Sequence, residues 1–169
     1  PVSFPRSVGQ EPLYYNQKNT GRPSNPDHVT FSGYTDSEKD ALYPFGFGLS
    51  YTNFEYGEPK LSATQMNQGE ELELSFTLHN TGKVKGREVV QLYLRDIVAS
   101  ATRPMKELKS FQLVELAPGE SKNIKFIIDD KKLQFYSANR KWESEAGDFE
   151  LFIGGNSEDL KKVTFSFNK

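Results

Sequence analysis

Apolar and polar residues alternate along most of the chain from about residue 52 onward. Leu72, Leu74, Phe76 and Leu78 are each separated by one polar residue, which is the period of a strand with one buried face. Related alternation recurs through the rest of the chain. It predicts seven strands, at about 53–61, 72–78, 90–94, 106–116, 124–128, 149–153 and 163–167.

Turn-forming residues separate these predicted strands. Asn80-Thr81-Gly82 follows the second strand, and Pro118-Gly119 suits a tight turn because proline presets one φ and glycine accepts a positive φ. Short antiparallel strands without a long helix predict an all-β fold, a two-sheet sandwich of the immunoglobulin or fibronectin III type. A closed barrel would use similar strands and is the alternative. The Cys-Trp-Cys pattern of antibody domains is absent, and Trp142 falls late, between the fifth and sixth predicted strands.

Residues 1 to about 50 lack this periodicity and contain several prolines. One short helical turn is predicted at 36–41, with Asp36 as its N-cap. A structureless stretch of this length is uncommon inside a compact domain. We therefore interpret the region as a tail or linker that lies over another surface.

Composition excludes several classes of partner. The chain has 169 residues and a net charge of −2, with acidic and basic residues interspersed, so we expect neither a nucleic-acid nor a membrane partner. It has no cysteine, which excludes disulfides and thiol chemistry. There is no membrane-spanning run and no signal peptide. Its start at Pro1 suggests a piece of a longer protein or a processed N-terminus.

The stretch from Leu42 to Thr52 is unusually rich in aromatic residues and glycine. Gly46 and Gly48 flank Phe47, which suggests a backbone bent close to another surface while aromatic side chains are held down. Such aromatics could form a platform on which sugar rings stack, or they could anchor a linker between domains. We favour the anchoring role.

The chain carries no recognisable catalytic or metal-binding motif. The acidic pairs Asp129-Asp130 and Glu143/Glu145 are interpreted as structural, and the two histidines, His28 and His79, lie far apart without a ligand cluster. Ser50 lacks a nucleophile-elbow context. We therefore predict no catalytic, cofactor-binding or metal-binding residue, and no cofactor.

Several segments, taken together, resemble the C-terminal region of glycoside hydrolase family 3 enzymes, typified by β-glucosidases. They run in the family's order over nearly the whole chain. The matching segments are 9–16 (GQEPLYYN), 19–23 (NTGRP), 42–52 (LYPFGFGLSYT), 80–82 (NTG), 86–93 (GREVVQLY), 103–108 (RPMKEL), 116–120 (LAPGE) and 145–149 (EAGDF).

The resemblance implies a domain order of a (β/α)8 barrel, an α/β sandwich and a fibronectin III-like domain. Residues 1–15 would be the end of a truncated α/β sandwich domain, 16–50 a linker, and 51–169 the fibronectin type III-like domain. It further implies that the nucleophilic Asp and the acid/base Glu lie upstream of this chain. A periplasmic or secreted location is a family-level expectation.

These inferences predict a non-catalytic accessory domain of a glycoside hydrolase, resembling β-glucosidases or β-xylosidases, that braces the catalytic domains of the same chain. This fragment alone is expected to be inactive, and an oligosaccharide at the cleft edge is a further candidate partner. The alternatives are a carbohydrate-binding module and a generic protein-interaction sandwich. The predicted domain-interface anchors are Tyr14, Tyr15, Tyr43, Phe45, Phe47 and Tyr51.

Overall fold

The computed structural model describes residues 2–19, 21 and 38–169. Asp36 and Ser37, the first two residues of the predicted 36–41 helical turn, lie outside these residues, as do His28 and most of the 19–23 segment. Residues 38–41 are not helical, and 39–40 form a bend. Two short helices are described, a 3-10 helix at Val8–Gln10 and α1 at Asp130–Leu133. The strands are β1 Phe54–Tyr56, β2 Lys60–Leu61, β3 Gln65–Asn67, β4 Leu72–Asn80, β5 Gly86–Asp96, β6 Glu107–Leu116, β7 Ser121–Ile128, β8 Phe135–Tyr136, β9 Trp142–Glu143, β10 Gly147–Gly154 and β11 Lys161–Asn168.

The strands form two main sheets, which confirms the sandwich rather than the closed barrel. In the smaller sheet β4 is central, with β7 along one edge and β1 and β2 sharing the other. The larger sheet has the order β3-β11-β10-β5-β6. Its pairs are antiparallel except β11 with β3. The strands β8 and β9 make a separate small hairpin.

The alternating apolar side chains meet between the two sheets. Leu72, Leu74, Phe76 and Leu78 of β4 are buried, as the period of two predicted. The core is an apolar layer of side chains from both sheets. Its buried members are Met66, Leu72, Leu74, Phe76, Leu78, Val90, Leu92, Leu94, Val114, Leu116, Ile124, Phe126, Ile128, Leu133, Phe149, Leu151, Ile153, Phe165 and Phe167.

The seven predicted strands are all present, with local differences. The segment predicted as one strand at 53–61 is divided into β1 and β2 by Gly57-Glu58-Pro59, since proline has no N–H to donate to the ladder. β3 and the β8–β9 hairpin were not predicted, because strands of two or three residues are too short to show a period. Gly119 adopts φ 73°, as its predicted turn requires.

Asn80 joins the end of β4 to three other parts of the chain. Its fully buried side-chain amide donates to the carbonyl oxygens of Val84 (2.9 Å) and Leu116 (3.1 Å). Its Oδ1 accepts from the Thr52 hydroxyl (2.5 Å) and from the Gly82 N–H (3.1 Å). A Cβ at Gly82 would lie 2.1 Å from Thr52 Oγ1, so this close approach excludes larger residues. The Asn-Thr-Gly turn is therefore built around a satisfied buried amide.

We expect Asn80→Ala to lower the free energy of unfolding by about 2–4 kcal/mol, because several buried donors and acceptors lose their partners at once. Urea denaturation of the purified chain measures this. Asn123→Ala, at an exposed position on β7, is the matched control and should change stability by less than about 0.5 kcal/mol. Equal effects of the two changes would contradict this role for Asn80.

Candidate functional site

We call the described residues before β1, namely 2–19, 21 and 38–53, the lead-in segment. This segment contacts the outer face of the larger sheet through Tyr15 and Gly46. Within β5, Leu92 and Leu94 point into the core, whereas Tyr93 between them points outward. Tyr93 is nevertheless fully buried, because the lead-in residues cover it. The Tyr15 ring lies 5.7 Å from that of Tyr93 and stacks on Phe45 at 4.3 Å. The Phe45 carbonyl accepts from the Ser157 N–H (2.9 Å), which fixes the segment to the β10–β11 connection.

Gly46 allows this close approach. It adopts φ 84°, and a Cβ there would lie 2.5 Å from the side-chain amide of Gln91. That amide donates to the Gly155 carbonyl and accepts from the Tyr93 hydroxyl. Burial, with a smaller contribution from Tyr15, raises the pKa of the Tyr93 hydroxyl, which therefore stays protonated and donating. The backbone bend expected from the paired glycines is present at Gly46.

The six predicted anchors fall into distinct environments. Tyr15 and Phe45 are half-buried against the sheet. Tyr43 and Phe47 are a little under half exposed, and their ring centroids lie 5.0 Å apart. Tyr14 is about half exposed, and Tyr51 projects fully into solvent. Whether these residues contact another domain stays a prediction.

Phe4 extends the exposed part of this group. Its ring lies 6.3 Å from that of Tyr43, and a backbone bridge joins the two residues. We call Phe4, Tyr43 and Phe47 the aromatic cluster. The cluster exposes three rings next to the site where Phe45 is anchored. Packing among the described residues leaves these three rings exposed to water, and an exposed apolar cluster of this kind is typical of an interaction site.

An exposed apolar patch continues across the same sheet face. Val89 pairs with Leu113, and Gln91 pairs with Phe111, so these side chains share the outer face. Phe111 is 66% exposed and Leu113 63%, although both lie in regular strands. We call Val89, Phe111 and Leu113 the sheet patch.

Charged residues border this patch at one end. Arg87 and Lys85 both pair with Glu115, at 2.9 and 2.6 Å. An apolar centre with a charged rim is the usual anatomy of a protein-binding surface.

A groove opens beside the lead-in segment and contains a half-buried carboxyl, that of Glu88, which the sequence analysis did not single out. It has a volume of about 520 Å³ and is lined in part by Tyr56, Glu88 and Gly155. The Tyr56 hydroxyl donates to Glu88 Oε1 (2.8 Å), and a Cβ at Gly155 would lie 2.3 Å from the same oxygen. The Gly154-Gly155 pair, which has no side chain to block such contact, is the one feature of the sequence that marks this close approach.

Burial governs the ionisation of this pair. It raises the pKa of the Glu88 carboxyl, and the hydrogen bond from Tyr56 acts in the opposite direction. Burial and the neighbouring Glu88 carboxylate also raise the pKa of the Tyr56 hydroxyl. Tyr56 therefore stays protonated and donates to Glu88, and the pKa of Glu88 lies above its ordinary value.

The acidic pairs considered from sequence have structural partners. Asp129 caps α1 by accepting from the Lys132 N–H (3.1 Å). Asp130 accepts from the Gly69 N–H (3.0 Å), and Glu145 accepts from the Ser100 N–H (2.9 Å). Among residues 2–19, 21 and 38–169, no group of three His, Asp or Glu side chains is placed to hold a metal ion. The absence of a cofactor remains a prediction.

Comparison with known proteins gives the class of this fold. Residues 88–157 match the fibronectin type III-like domain family. The chain is 45% identical over 167 residues to a periplasmic β-glucosidase of Salmonella typhimurium, a match that covers 98% of this chain and 22% of that protein. It is 43% identical over 169 residues to a putative β-xylosidase of Formosa agariphila, covering 100% of this chain and 21% of that protein.

A solved structure agrees over the whole fold. The crystal structure of β-glucosidase from Listeria innocua in complex with gluconolactone matches with a TM-score of 0.91 and 38% identity. That match covers 99% of this chain and 23% of the enzyme. The chain thus spans about a fifth of the length of the relatives it matches.

The fold and these matches identify the class as a fibronectin type III-like β-sandwich. More specifically, the chain corresponds to the fibronectin type III-like region of β-glucosidases and β-xylosidases of glycoside hydrolase family 3. The resemblance inferred from the motifs is confirmed. In the described part of the chain, no helix has the length and apolar character needed to cross a membrane.

We expect the stability of Glu88→Gln relative to the unaltered chain to rise with pH. A carboxyl whose folded pKa is raised stabilises the fold most below its unfolded pKa, and this contribution is lost as pH rises through the folded pKa. Glutamine keeps the acceptor for Tyr56 and cannot ionise. Chemical denaturation between pH 4 and pH 8 measures the difference.

Glu115→Gln provides the control with the opposite sign. Hydrogen bonds from Lys85 and Arg87 lower the pKa of Glu115, so its contribution is present above the unfolded pKa and lost in acid. The relative stability of that variant should fall as pH rises. If both variants changed in the same direction, the assigned environment of Glu88 would be wrong.

Phe45→Ala should destabilise the isolated chain more than Phe47→Ala does. Phe45 is half-buried on Tyr15, so its loss should cost about 1–3 kcal/mol, whereas Phe47 is 43% exposed and should cost less than about 1 kcal/mol. Urea denaturation of the two variants checks the order. Equal costs would mean that Phe45 does not fix the segment to the sheet.

Proposed function

We propose that this chain is a non-catalytic accessory domain of a glycoside hydrolase and that it braces the catalytic part of the same polypeptide. The observation that carries the proposal is the share of each protein that the matches cover. The relatives match essentially all of this chain, but the chain matches only 21–22% of the two glycosidases. Most of such a protein would therefore lie outside this fold.

The outer face of the larger sheet supports a docking role. Phe47 of the aromatic cluster lies two residues from the anchored Phe45, and the sheet patch adjoins Gln91, which is in direct register with Phe111 and contacts Gly46. The cluster and the patch together expose six large apolar side chains. Large exposed apolar patches with polar rims are typical of interaction surfaces.

The partner that this surface fits is the catalytic part of the same polypeptide. The lead-in segment crosses this face before β1 begins. A domain that precedes the segment in the chain would therefore lie next to the face. In this scheme residues 1–15 end an α/β domain, 16–50 form the linker, and 51–169 form the accessory domain. The anchors are Tyr14, Tyr15, Tyr43, Phe45, Phe47 and Tyr51, of which Tyr15 and Phe45 pack against each other and Tyr15 contacts Tyr93 of the sheet.

The activity of the longer protein would be hydrolysis of β-linked glucosides or xylosides. The named activities of the relatives support this substrate class. This chain would contribute no catalytic residue, and retaining hydrolysis requires two carboxyls about 5 Å apart across the scissile bond. A periplasmic or secreted location follows the name of the Salmonella relative.

The isolated chain should not hydrolyse an aryl β-glucoside or aryl β-xyloside. Release of the aryl group by the purified chain measures this directly. Reproducible turnover that a single substitution within the chain abolishes would overturn the non-catalytic assignment.

We expect Phe111→Asp combined with Leu113→Lys to weaken association with the separately supplied catalytic part by at least about 30-fold, because charges would be buried at the centre of the interface. Calorimetry or surface plasmon resonance measures the association. The isolated variant should keep its melting temperature, since both side chains are already exposed.

Ile127→Asp is the matched control for this experiment. Ile127 is a partly exposed apolar residue on β7, in the opposite sheet. It should leave association unchanged. If the control weakened association as much as the double variant, the effect would not be specific to the larger sheet and the proposed docking face would be wrong.

A further inference from the structure

A second, smaller aromatic site lies on the β8–β9 hairpin. Tyr136 and Trp142 are direct cross-strand partners, so both project from the same face. Their ring centroids are 5.9 Å apart with an interplanar angle of 65°, which makes an open corner rather than a flat stack. Tyr136 is 57% exposed and Trp142 67% exposed. The pair is not part of the apolar core.

The corner is rigidly supported from beneath. Phe135, next to Tyr136 in sequence, is buried, and the Arg103 guanidinium lies 4.5 Å from the centre of its ring. Arg103 is in turn held by two hydrogen bonds to Glu107, at 3.0 and 3.1 Å. An exposed pair on a fixed base loses little conformational freedom when a ligand binds.

The turn of the hairpin is also fixed. The Ser137 N–H donates to the Lys141 carbonyl (2.9 Å), and the Arg140 N–H donates to the Ser137 carbonyl (3.0 Å). Arg140 adopts φ 58°, a conformation that non-glycine residues seldom take. The turn therefore presents polar side chains at set positions beside the two rings.

Hydrogen-bonding groups surround the pair. Asn139, Arg140 and Lys141 are exposed on the turn next to the hairpin. Glu143, the cross-strand partner of Phe135, lies on the opposite face from the two rings and is not part of the corner. Two rings within a polar surround suit a small ligand with both apolar and hydroxyl surfaces.

The size of the site separates a small ligand from a protein partner. A stable protein interface buries roughly 800 Å² on each side. Two aromatic side chains offer on the order of 150–250 Å² each, and part of that is already covered. The corner therefore matches one sugar ring, in contrast to the larger apolar face on the outer side of β5 and β6.

We propose that Tyr136 and Trp142 form a binding corner for a pyranose ring of a β-linked oligosaccharide. The axial C–H groups of β-linked glucose or xylose give each ring an apolar face that stacks on Trp142, with Tyr136 against its edge. The ring hydroxyls meet the polar groups of the turn. The choice of sugar rests on the proposed function, whereas the corner itself rests on the geometry.

Trp142 is the single tryptophan of the chain, so its fluorescence reports this site directly. Titration of the 169-residue chain with cellotriose or xylotriose should give a saturable change in emission, with a dissociation constant on the order of millimolar. Sorbitol, a polyol without a ring face, should give none. The absence of a saturable change with either trisaccharide, up to the solubility limit, overturns the proposal.

Variants place the binding at the corner. Tyr136→Ala should weaken binding roughly two- to tenfold. By calorimetry, Trp142→Ala should abolish binding, whereas Trp142→Phe should retain part of it. Tyr51→Ala removes a fully exposed aromatic residue elsewhere and should have no effect. Binding that survives Trp142→Ala, or that is lost in Tyr51→Ala, overturns the assignment to this corner.

A further titration separates this proposal from the accessory role. The Phe111→Asp, Leu113→Lys variant should bind the trisaccharides normally even if it no longer associates with the catalytic part. If Trp142 emission responds to the catalytic part and not to either sugar, the corner is a protein contact and the sugar proposal is wrong.

Discussion

The burial of Tyr93 on the outward face of a sheet constrains the rest of this structure. Its neighbours Leu92 and Leu94 belong to the core, so Tyr93 must point away from it. An aromatic ring there can be removed from water only if other chain segments cover it. Tyr15 and Phe45 do so, and the Gln91 amide, which contacts Gly46, accepts from its hydroxyl. The lead-in segment is therefore part of the folded unit and sets which face of the sandwich is occupied.

That arrangement explains why two kinds of exposed aromatic surface occur on one small domain. Around the covered ring, the aromatic cluster and the sheet patch form a broad apolar face with charges at one end, which suits another protein domain. The Tyr136–Trp142 corner is small and adjoins a polar turn, which suits a sugar ring. In the two proposals the same residue types would serve different partners because the extent of apolar area and its surroundings differ.

The architecture was predictable because its strands are long enough to show a period. In β4, Leu72, Leu74, Phe76 and Leu78 alternate with polar residues, and the side chains that alternate in sequence are those buried in the core. Local turn chemistry was equally informative at Gly119. The parallel strand β3 could not be predicted, since its three residues pair with a strand about a hundred positions later in the chain.

The contacts on the outer face of the larger sheet and in the groove were harder to predict from the sequence. The bend at Gly46 was expected from its aromatic surroundings, but its contact is Gln91, which only the fold brings near. The Tyr56–Glu88 hydrogen bond joins residues 32 positions apart across the edge of the sandwich, and no local pattern marks it. Phe111 and Leu113 are separated by the polar Gln112, a spacing that core residues also show. Only the burial of the opposite face of β6, at Val114 and Leu116, reveals that they point outward.

Oxidative footprinting of aromatic side chains, in this chain and in a longer protein that contains the catalytic part, tests the central claim most directly. The account predicts that Tyr43, Phe47 and Phe111 are readily modified in the isolated chain and protected in the longer protein, while Trp142 stays reactive in both. Equal reactivity of Phe47 and Phe111 in the two proteins would contradict docking through the outer face of the larger sheet.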